Sequence, residues 1–378
     1  MTNFDSVLAN GVIDARSGTG EFDALAELAG DLGRRSFDAR VGRRRRPDTF
    51  DEQLWDALAA SGLDRLTSDA DNEAGPAELA VVLYWLARNS AAVPVAETDL
   101  LAAWLMQRAD IEVPTGGALT AGRAVGTAPG GLVTGVAGAV PWARSAALVV
   151  LVEVLGSGAG GGTFHVGLAD PADTVLTDGM NLAGEPRDDI AFAIESRMLR
   201  PVDPAVADEY ECRGAWARCV QLVGALDAAA ASSVQHCRER VQFGRPLSML
   251  QSVQHTLAVM AGDIERARAA VTLAIAAATD FGFGDRRTRY AVSVARTVLG
   301  AVVGSVTGSA HQLHGAMGTS IEHALWPSTL RARSWVDEFG SVGHHARYVG
   351  RTALGAADVW DCVTGSCWDQ SLTKPPGE

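Results

Sequence analysis

The chain lacks most of the patterns that would place it quickly. Its five cysteines (Cys212, Cys219, Cys237, Cys362 and Cys367) show no Cys-x-x-Cys pair or other zinc spacing, which sets aside zinc modules and redox dithiols. They read as reduced thiols, with a pairing of Cys362 and Cys367 the one disulfide the spacing leaves open. No apolar run reaches the roughly 18 to 20 residues of a membrane span; the longest, near Ala146–Val152, is short and rich in β-formers. The opening residues MTNFDSVLAN have no basic stretch followed by an apolar one. A cytoplasmic protein with no membrane contact is therefore expected. Positive charge is also scarce: 32 Lys and Arg face 45 Asp and Glu, for a net charge of −13. An acidic surface repels phosphate, so nucleic acid is not an expected partner.

What is present is apolar content, 47% hydrophobic against 20% charged, enough for a core without covalent staples. Three zones divide it. Residues 1–112 are Ala- and Leu-rich, with helical spacing over Phe50–Leu58, Leu79–Ala87 and Leu100–Met106, punctuated by Gly62, Gly75-Pro76 and Asn89-Ser90. In residues 113–200 helical periodicity disappears, and Val133–Val136, Ala147–Val152 and Phe164–Leu168 read as strands. Residues 201–365 return to long helices: about Trp216 to Arg240, then one with Val253, Leu257, Met260, Ile264, Ala267, Val271 and Ile275 on one stripe, then about Arg287 to His314. Small residues crowd these helices, as in a bundle. Residues 366–378 read as a flexible tail. The expected fold class is α+β, mostly α: an N-terminal helical domain, a small middle β domain and a C-terminal four-helix bundle.

Few segments carry chemistry. The run Gly156–Gly162 has no following helix and no Lys-Ser/Thr, so it reads as a hairpin tip, not a phosphate loop. Gly42–Pro47 holds four consecutive arginines and reads as a solvated loop, with CoA phosphates or an acidic partner face as the alternative. His311 and His314 are spaced for a metal pair, but no Glu-x-x-His accompanies them, and no metal is expected. The stretch Arg238–Leu247 is the most informative: Gly244 and Pro246 stop one helix, another starts near Ser252, and the turn presents Arg240, Gln242 and Arg245 together. A guanidinium fork beside an amide suits a pyrophosphate; a basic surface turn is the plainer alternative.

RVQFGRPLSMLQSVQHTLAVMAGDIERAR, from Arg240 to Arg268, closely resembles the helix–turn–helix of acyl-CoA dehydrogenases. HQLHGAMGTSIEHALWPSTLRAR, from His311 to Arg333, is similar to that family's Gln-Leu-His-Gly-Gly segment and the helix after it. The resemblance extends over the three zones. It implies that Arg240, Gln242 and Phe243 contact the pyrophosphate and adenine side of FAD, supported by Gln251, and that Gln312 and Gly315 line the adenosine end, mainly in a neighbouring subunit's site. Two features depart from the family. Its Thr-Glu-Pro…Gly-Ser-Asp segment, which holds the flavin ring and the thioester, has no counterpart in Ala118–Trp142. The usual base, a Glu within Tyr-Glu-Gly, is replaced by Phe339 in Glu338-Phe339-Gly340, which leaves Glu338 or Asp337 as candidate catalytic base. One residue along a helix turns a side chain by about 100°. The resemblance then implies the shorter, divergent subunit of a bacterial heteromeric acyl-CoA dehydrogenase of the steroid-degradation type, in an α2β2 assembly with a second dehydrogenase subunit. It would desaturate an acyl-CoA at the α,β bond and pass electrons to an electron-transfer flavoprotein. The alternatives are a self-sufficient homo-oligomeric dehydrogenase and a catalytically silent scaffold on the same fold.

Overall fold

The structure is a computed structural model that describes residues 21–43, 48–69, 71–156 and 162–364. The centre of the glycine run, residues 44–47 of the arginine cluster, Cys367 and the 366–378 tail lie outside the described residues.

The chain opens with α1 (Glu21–Arg40), α2 (Glu52–Ala60) and α3 (Pro76–Arg88), then a π-helical segment (Ala96–Ala103) that runs straight into α4 (Trp104–Arg108). Each start has a local cause. Asp51 caps α2 by accepting from the Leu54 N–H at 3.1 Å. Glu78 reaches back to the Gly75 N–H at 2.8 Å, and Pro76 takes the first turn of α3, where a missing N–H costs nothing. The β region follows: β1 (Leu119–Thr127), β2 (Leu132–Pro141), β3 (Ala147–Val154), β4 (Thr163–Leu168), β5 (Thr174–Thr177), β6 (Arg187–Glu195) and β7 (Arg200–Val202). They form one sheet in the order β5-β6-β2-β1-β3-β4-β7. Only β1 and β3 pair in parallel; the other neighbours are antiparallel.

The C-terminal half is helical: α5 (Ala205–Glu239), a hairpin of β8 (Val241–Gln242) and β9 (Arg245–Pro246), α6 (Gln251–Phe281), α7 (Arg286–His314), α8 (Leu325–Trp335), α9 (Val342–Gly355) and α10 (Val359–Thr364). The α5 helix starts eleven residues before the expected Trp216, because Val206, Ala207 and Tyr210 bury their side chains against the sheet and extend its apolar face. Gly282 (φ 75°) and Gly315 (φ 61°) end α6 and α7 in the left-handed conformation that favours glycine.

The core runs between α3, α5, α6 and α7, around the fully buried Trp216. Asp227 of α5 accepts from Tyr84 Oη (2.5 Å) and twice from Arg268 Nη2 (2.9 and 2.7 Å), tying α3, α5 and α6 together. The expectation that no segment has the length of a membrane span is corrected at one place. By length and composition, Arg286–Thr319 could cross a bilayer, yet half of its apolar window is buried inside the fold, as in the core helix of a bundle.

Candidate functional site

Among the described residues the polar centre of the chain is a run of buried ion pairs where the helical regions and the sheet meet. Arg218 of α5 donates from Nη2 to Glu97 Oε1 at 2.6 Å and from Nε to Glu338 Oε2 at 2.7 Å. Arg187, at the start of β6, donates from Nε to the other Glu338 oxygen at 2.9 Å. The run continues from Arg187 to Glu185 (3.4 Å), from Glu185 to Arg331 of α8 (3.2 Å), and from Arg331 to Asp48 (3.1 Å). Asp48 also binds Arg40 of α1 at 2.5 Å. The Trp335 indole donates to Glu185 at 2.8 Å. A space of only about 20 Å³ remains between Glu97, Glu185, Arg187, Arg218 and Gln221, room for one water.

This geometry gives Glu338 the setting of a structural ion pair. Removing an α-proton at neutral pH calls for a carboxylate whose pKa is raised. Burial does push the Glu338 carboxyl upward, but Arg187 and then Arg218 outweigh it and hold the pKa down at about 2. Both oxygens are taken. Asp337 is exposed and points no carboxylate into this centre.

The backbone around Glu338 is fixed as firmly as its side chain. Buried Arg296 of α7 donates to the carbonyls of Trp335 (3.0 Å), Val336 (2.8 Å), Glu338 (2.6 Å) and Gly340 (3.2 Å), serving the unpaired C-terminal end of α8 and the loop after it. Phe339 takes φ 55° and packs edge-on to Tyr210 at 5.8 Å. Its ring covers Gly214, where an added Cβ would lie 2.3 Å from it. Beside Phe339 and Gly340 is a cavity of about 340 Å³. The two carboxylates facing it, Glu211 and Asp208, are tied to Arg123 (3.0 Å) and Arg289 (3.1 Å).

The residues expected at FAD gather at one end of the bundle. His236, near the end of α5, stacks on His314, near the end of α7, with ring centroids 4.5 Å apart. This contact brings the Arg240–Gln251 turn and the Gln312–Gly315 segment to the same end. Arg240, Gln242, Phe243, Gln251, Gln312 and Gly315 are all exposed. The side chains of Arg240 and Arg245 make no hydrogen bond or ion pair among the described residues. The hairpin tip is Phe243-Gly244, with φ 56° and 76°, a primed turn in which a Phe occupies a conformation that costs a side-chain-bearing residue energy. Phe243 is also 86% exposed. A strained, exposed aromatic ring thus sits in the same turn as two unpaired guanidiniums. His311 bonds Thr329 Oγ1 at 2.8 Å and His314 bonds the Ala310 carbonyl at 2.8 Å. Among the described residues no group of His, Cys, Asp and Glu could hold a metal.

Acid should weaken the fold in two windows. Burial lowers His314 and His345 from 6.5 to about 4, so the folded state opposes their protonation and stability falls as pH drops from 6.5 to 4. Glu338, depressed from 4.5 to about 2, contributes about 3 kcal/mol above pH 4.5 that is lost as pH falls toward 2. Urea midpoints measured from pH 8 to pH 3 should fall in both windows, and Glu338→Gln should flatten only the lower one.

The family profile described as "Acyl-CoA dehydrogenase, C-terminal domain" matches residues 213–337. The C-terminal bundle is thus similar to the C-terminal domain of that family. Among curated proteins the chain is similar to the probable acyl-CoA dehydrogenase FadE2 of Mycobacterium tuberculosis (strain ATCC 25618 / H37Rv), 31% identical over 179 residues. That alignment spans 46% of this chain and only 39% of the relative's length. Among solved structures, a chain of the ChsE4-ChsE5 complex from Mycobacterium tuberculosis superposes with a TM-score of 0.78 at 18% identity, over 91% of this chain and 99% of that one. Butyryl-CoA dehydrogenase from Megasphaera elsdenii gives 0.76 at 18% identity, over 88% and 98%. The acyl-CoA dehydrogenase fold thus extends over nearly the whole chain: N-terminal helices, middle sheet and C-terminal bundle.

Reading the sequence for acyl-CoA dehydrogenase motifs missed Glu97, Glu185, Arg187 and Arg218, which make up the centre. One signal was available. Glu97 and Asp99 interrupt an otherwise apolar stretch, Val93–Trp104, and acids there need buried partners.

Proposed function

We propose that this chain is the FAD-reaching partner subunit of a heteromeric acyl-CoA dehydrogenase that desaturates an acyl-CoA thioester. The observation that carries the reading is the filled centre: the Glu338 carboxylate is bound by Arg187 and Arg218, with about 20 Å³ of free space beside them. A chain whose candidate base is held by its own arginines would draw the base from another subunit. The exposed turn supplies the complementary half. Arg240 would pair with the FAD pyrophosphate, Gln242 and Gln251 would offer amides, Phe243 a ring face, and Gln312 and Gly315 the adenosine end. FAD, when bound, supplies the hydride acceptor. On this reading the assembly is α2β2, works in the cytoplasm on a steroid-type or other bulky acyl-CoA, and hands electrons to an electron-transfer flavoprotein. The fold likeness to a chain of a two-protein complex supports a heteromer.

Flavin quantified per chain in the purified assembly tests this. Co-expression with a full-length dehydrogenase subunit should give half a flavin per chain, and Arg240→Ala should lower that content at least tenfold at sub-saturating FAD. One flavin per chain, with acyl-CoA-dependent bleaching of this chain alone, would establish the self-sufficient homo-oligomer instead. No flavin and no complex would leave the silent scaffold.

A further inference from the structure

A second polar cavity, on the π-helical segment away from the ion-pair centre, is built like a ligand site. It has a volume of about 280 Å³ and lies between Thr67-Ser68, Ala74–Pro76, the π-helical segment with α4, α5 and the turn after α6. One wall is Arg213. Its guanidinium is clamped between two ring faces, 4.2 Å from the Trp104 centroid and 4.5 Å from that of Phe283. Glu209 takes both Nε and Nη2 through a single oxygen, at 2.9 and 2.8 Å. Nη1 makes no hydrogen bond among the described residues. The facing wall is Asp99, fully buried, which accepts from the Thr67 N–H and hydroxyl and from the Ser68 N–H at 2.8–3.1 Å. Beside it the Ser68 hydroxyl is buried next to the Asp99 carboxylate, without a well-formed hydrogen bond to it. Gln107 at the rim spends its Nε2 on the Ser68 carbonyl at 2.6 Å, leaving its carbonyl oxygen free.

The unmet groups select a chemistry. Arg213 Nη1 asks for an acceptor and the Gln107 oxygen accepts a donor, with the Ser68 hydroxyl and the Asp99 carboxylate bordering them. Charge selects further. Glu209 already neutralises Arg213, so an anion would face Asp99 with no uncommitted positive charge to compensate. A cation would meet a guanidinium fixed in place. A neutral group with both a carbonyl and N–H bonds suits this set, and Leu100, Trp104 and Pro76 offer apolar surface to the rest of such a molecule. Glu97 and Asp99, two residues apart, point to nearly opposite sides of the helix and so serve separate sites.

We propose that this cavity binds a small neutral molecule bearing a primary amide, its carbonyl on Arg213 Nη1 and its N–H groups toward Gln107 and Asp99. The proposal does not depend on the partner-subunit reading. It is tested by ligand-observed NMR titration of the full chain with benzamide, benzoate and benzylamine. Benzamide should bind saturably and the two charged analogues at least tenfold more weakly. Ala74→Leu, which enlarges a side chain lining the cavity, should weaken benzamide at least tenfold without moving the urea midpoint. Ser68→Ala, which leaves the walls in place, should weaken it about threefold and decides the matter if Ala74→Leu does not fold. No saturable benzamide binding, tighter binding of either charged analogue, or full affinity in the substituted chains would overturn the proposal.

Discussion

Replacing Arg218 with methionine should lower the stability of the chain by about 3–5 kcal/mol, the usual cost of leaving a buried charge without its partner. Arg218 is 2% exposed and is the only residue that hydrogen-bonds the Glu97 carboxylate among the described contacts, at 2.6 Å. Glu338 would keep Arg187, at 2.9 Å, but would lose half of its neutralisation. Methionine fills much of the same volume, so the loss would come from charge and not from a cavity. A second substitution makes the attribution firm: adding Glu97→Gln removes the orphaned charge and should recover at least about 1 kcal/mol, because a buried pair replaced on both sides is often close to neutral. Urea denaturation of the two variants measures this. A single-variant cost below about 1 kcal/mol would mean that water replaces the guanidinium and that the centre is not sealed.

The substitution Gly224→Ala should also be severely destabilising, although it places the best helix former in the interior of α5. Helix propensity alone would favour it by about 1 kcal/mol. The packing opposes it: an added Cβ would lie 2.4 Å from the Tyr84 carbonyl oxygen and 3.1 Å from the Arg88 amide nitrogen. Both atoms are backbone of α3 and cannot swing aside as a side chain would. Relief requires α3 and α5 to part, which loosens the Tyr84–Asp227 bond of 2.5 Å at the same contact. Overpacking costs of 1–3 kcal/mol, and more against backbone, exceed the propensity gain. The expected net loss is about 2–4 kcal/mol, readable as a fall in the urea midpoint with an unchanged slope. Gly262, which has open space around its would-be Cβ in α6, is the matched control, and Gly262→Ala should stabilise slightly.

What could be read from the sequence was whatever is written locally. The turn after α5 is spelled out by Gly244 and Pro246, and the stripe from Val253 to Ile275 gave α6 because a helix that buries one face repeats its apolar residues within its own segment. The strands β1 and β6 were not picked out. The first is Leu-Thr-Ala-Gly-Arg-Ala-Val-Gly-Thr, poor in β-formers, and is held by its parallel pairing with β3, a non-local contact. Nor could the sequence show what Glu338 does. Its partners Arg187 and Arg218 lie 151 and 120 residues away, and nothing local says that both guanidiniums arrive at one carboxylate. The exposed turn from Arg240 to Gln251 could be read for the opposite reason: its residues are contiguous, and its shape does not wait on distant partners.

The π-helical segment at Ala96–Ala103 also bears on how such a chain can change over time. A π turn is an α-helix carrying one surplus residue. Here the segment carries Glu97, bonded to Arg218, and Asp99, bonded to the 67–68 backbone, on nearly opposite faces. Deleting a residue of the segment would turn the chain on one side of the deletion by about 100° relative to the other and so displace these carboxylates from their partners. The two cavities therefore share a reading frame. A lineage can tune either by substitution, but a single-codon deletion in this segment would be felt in both at once.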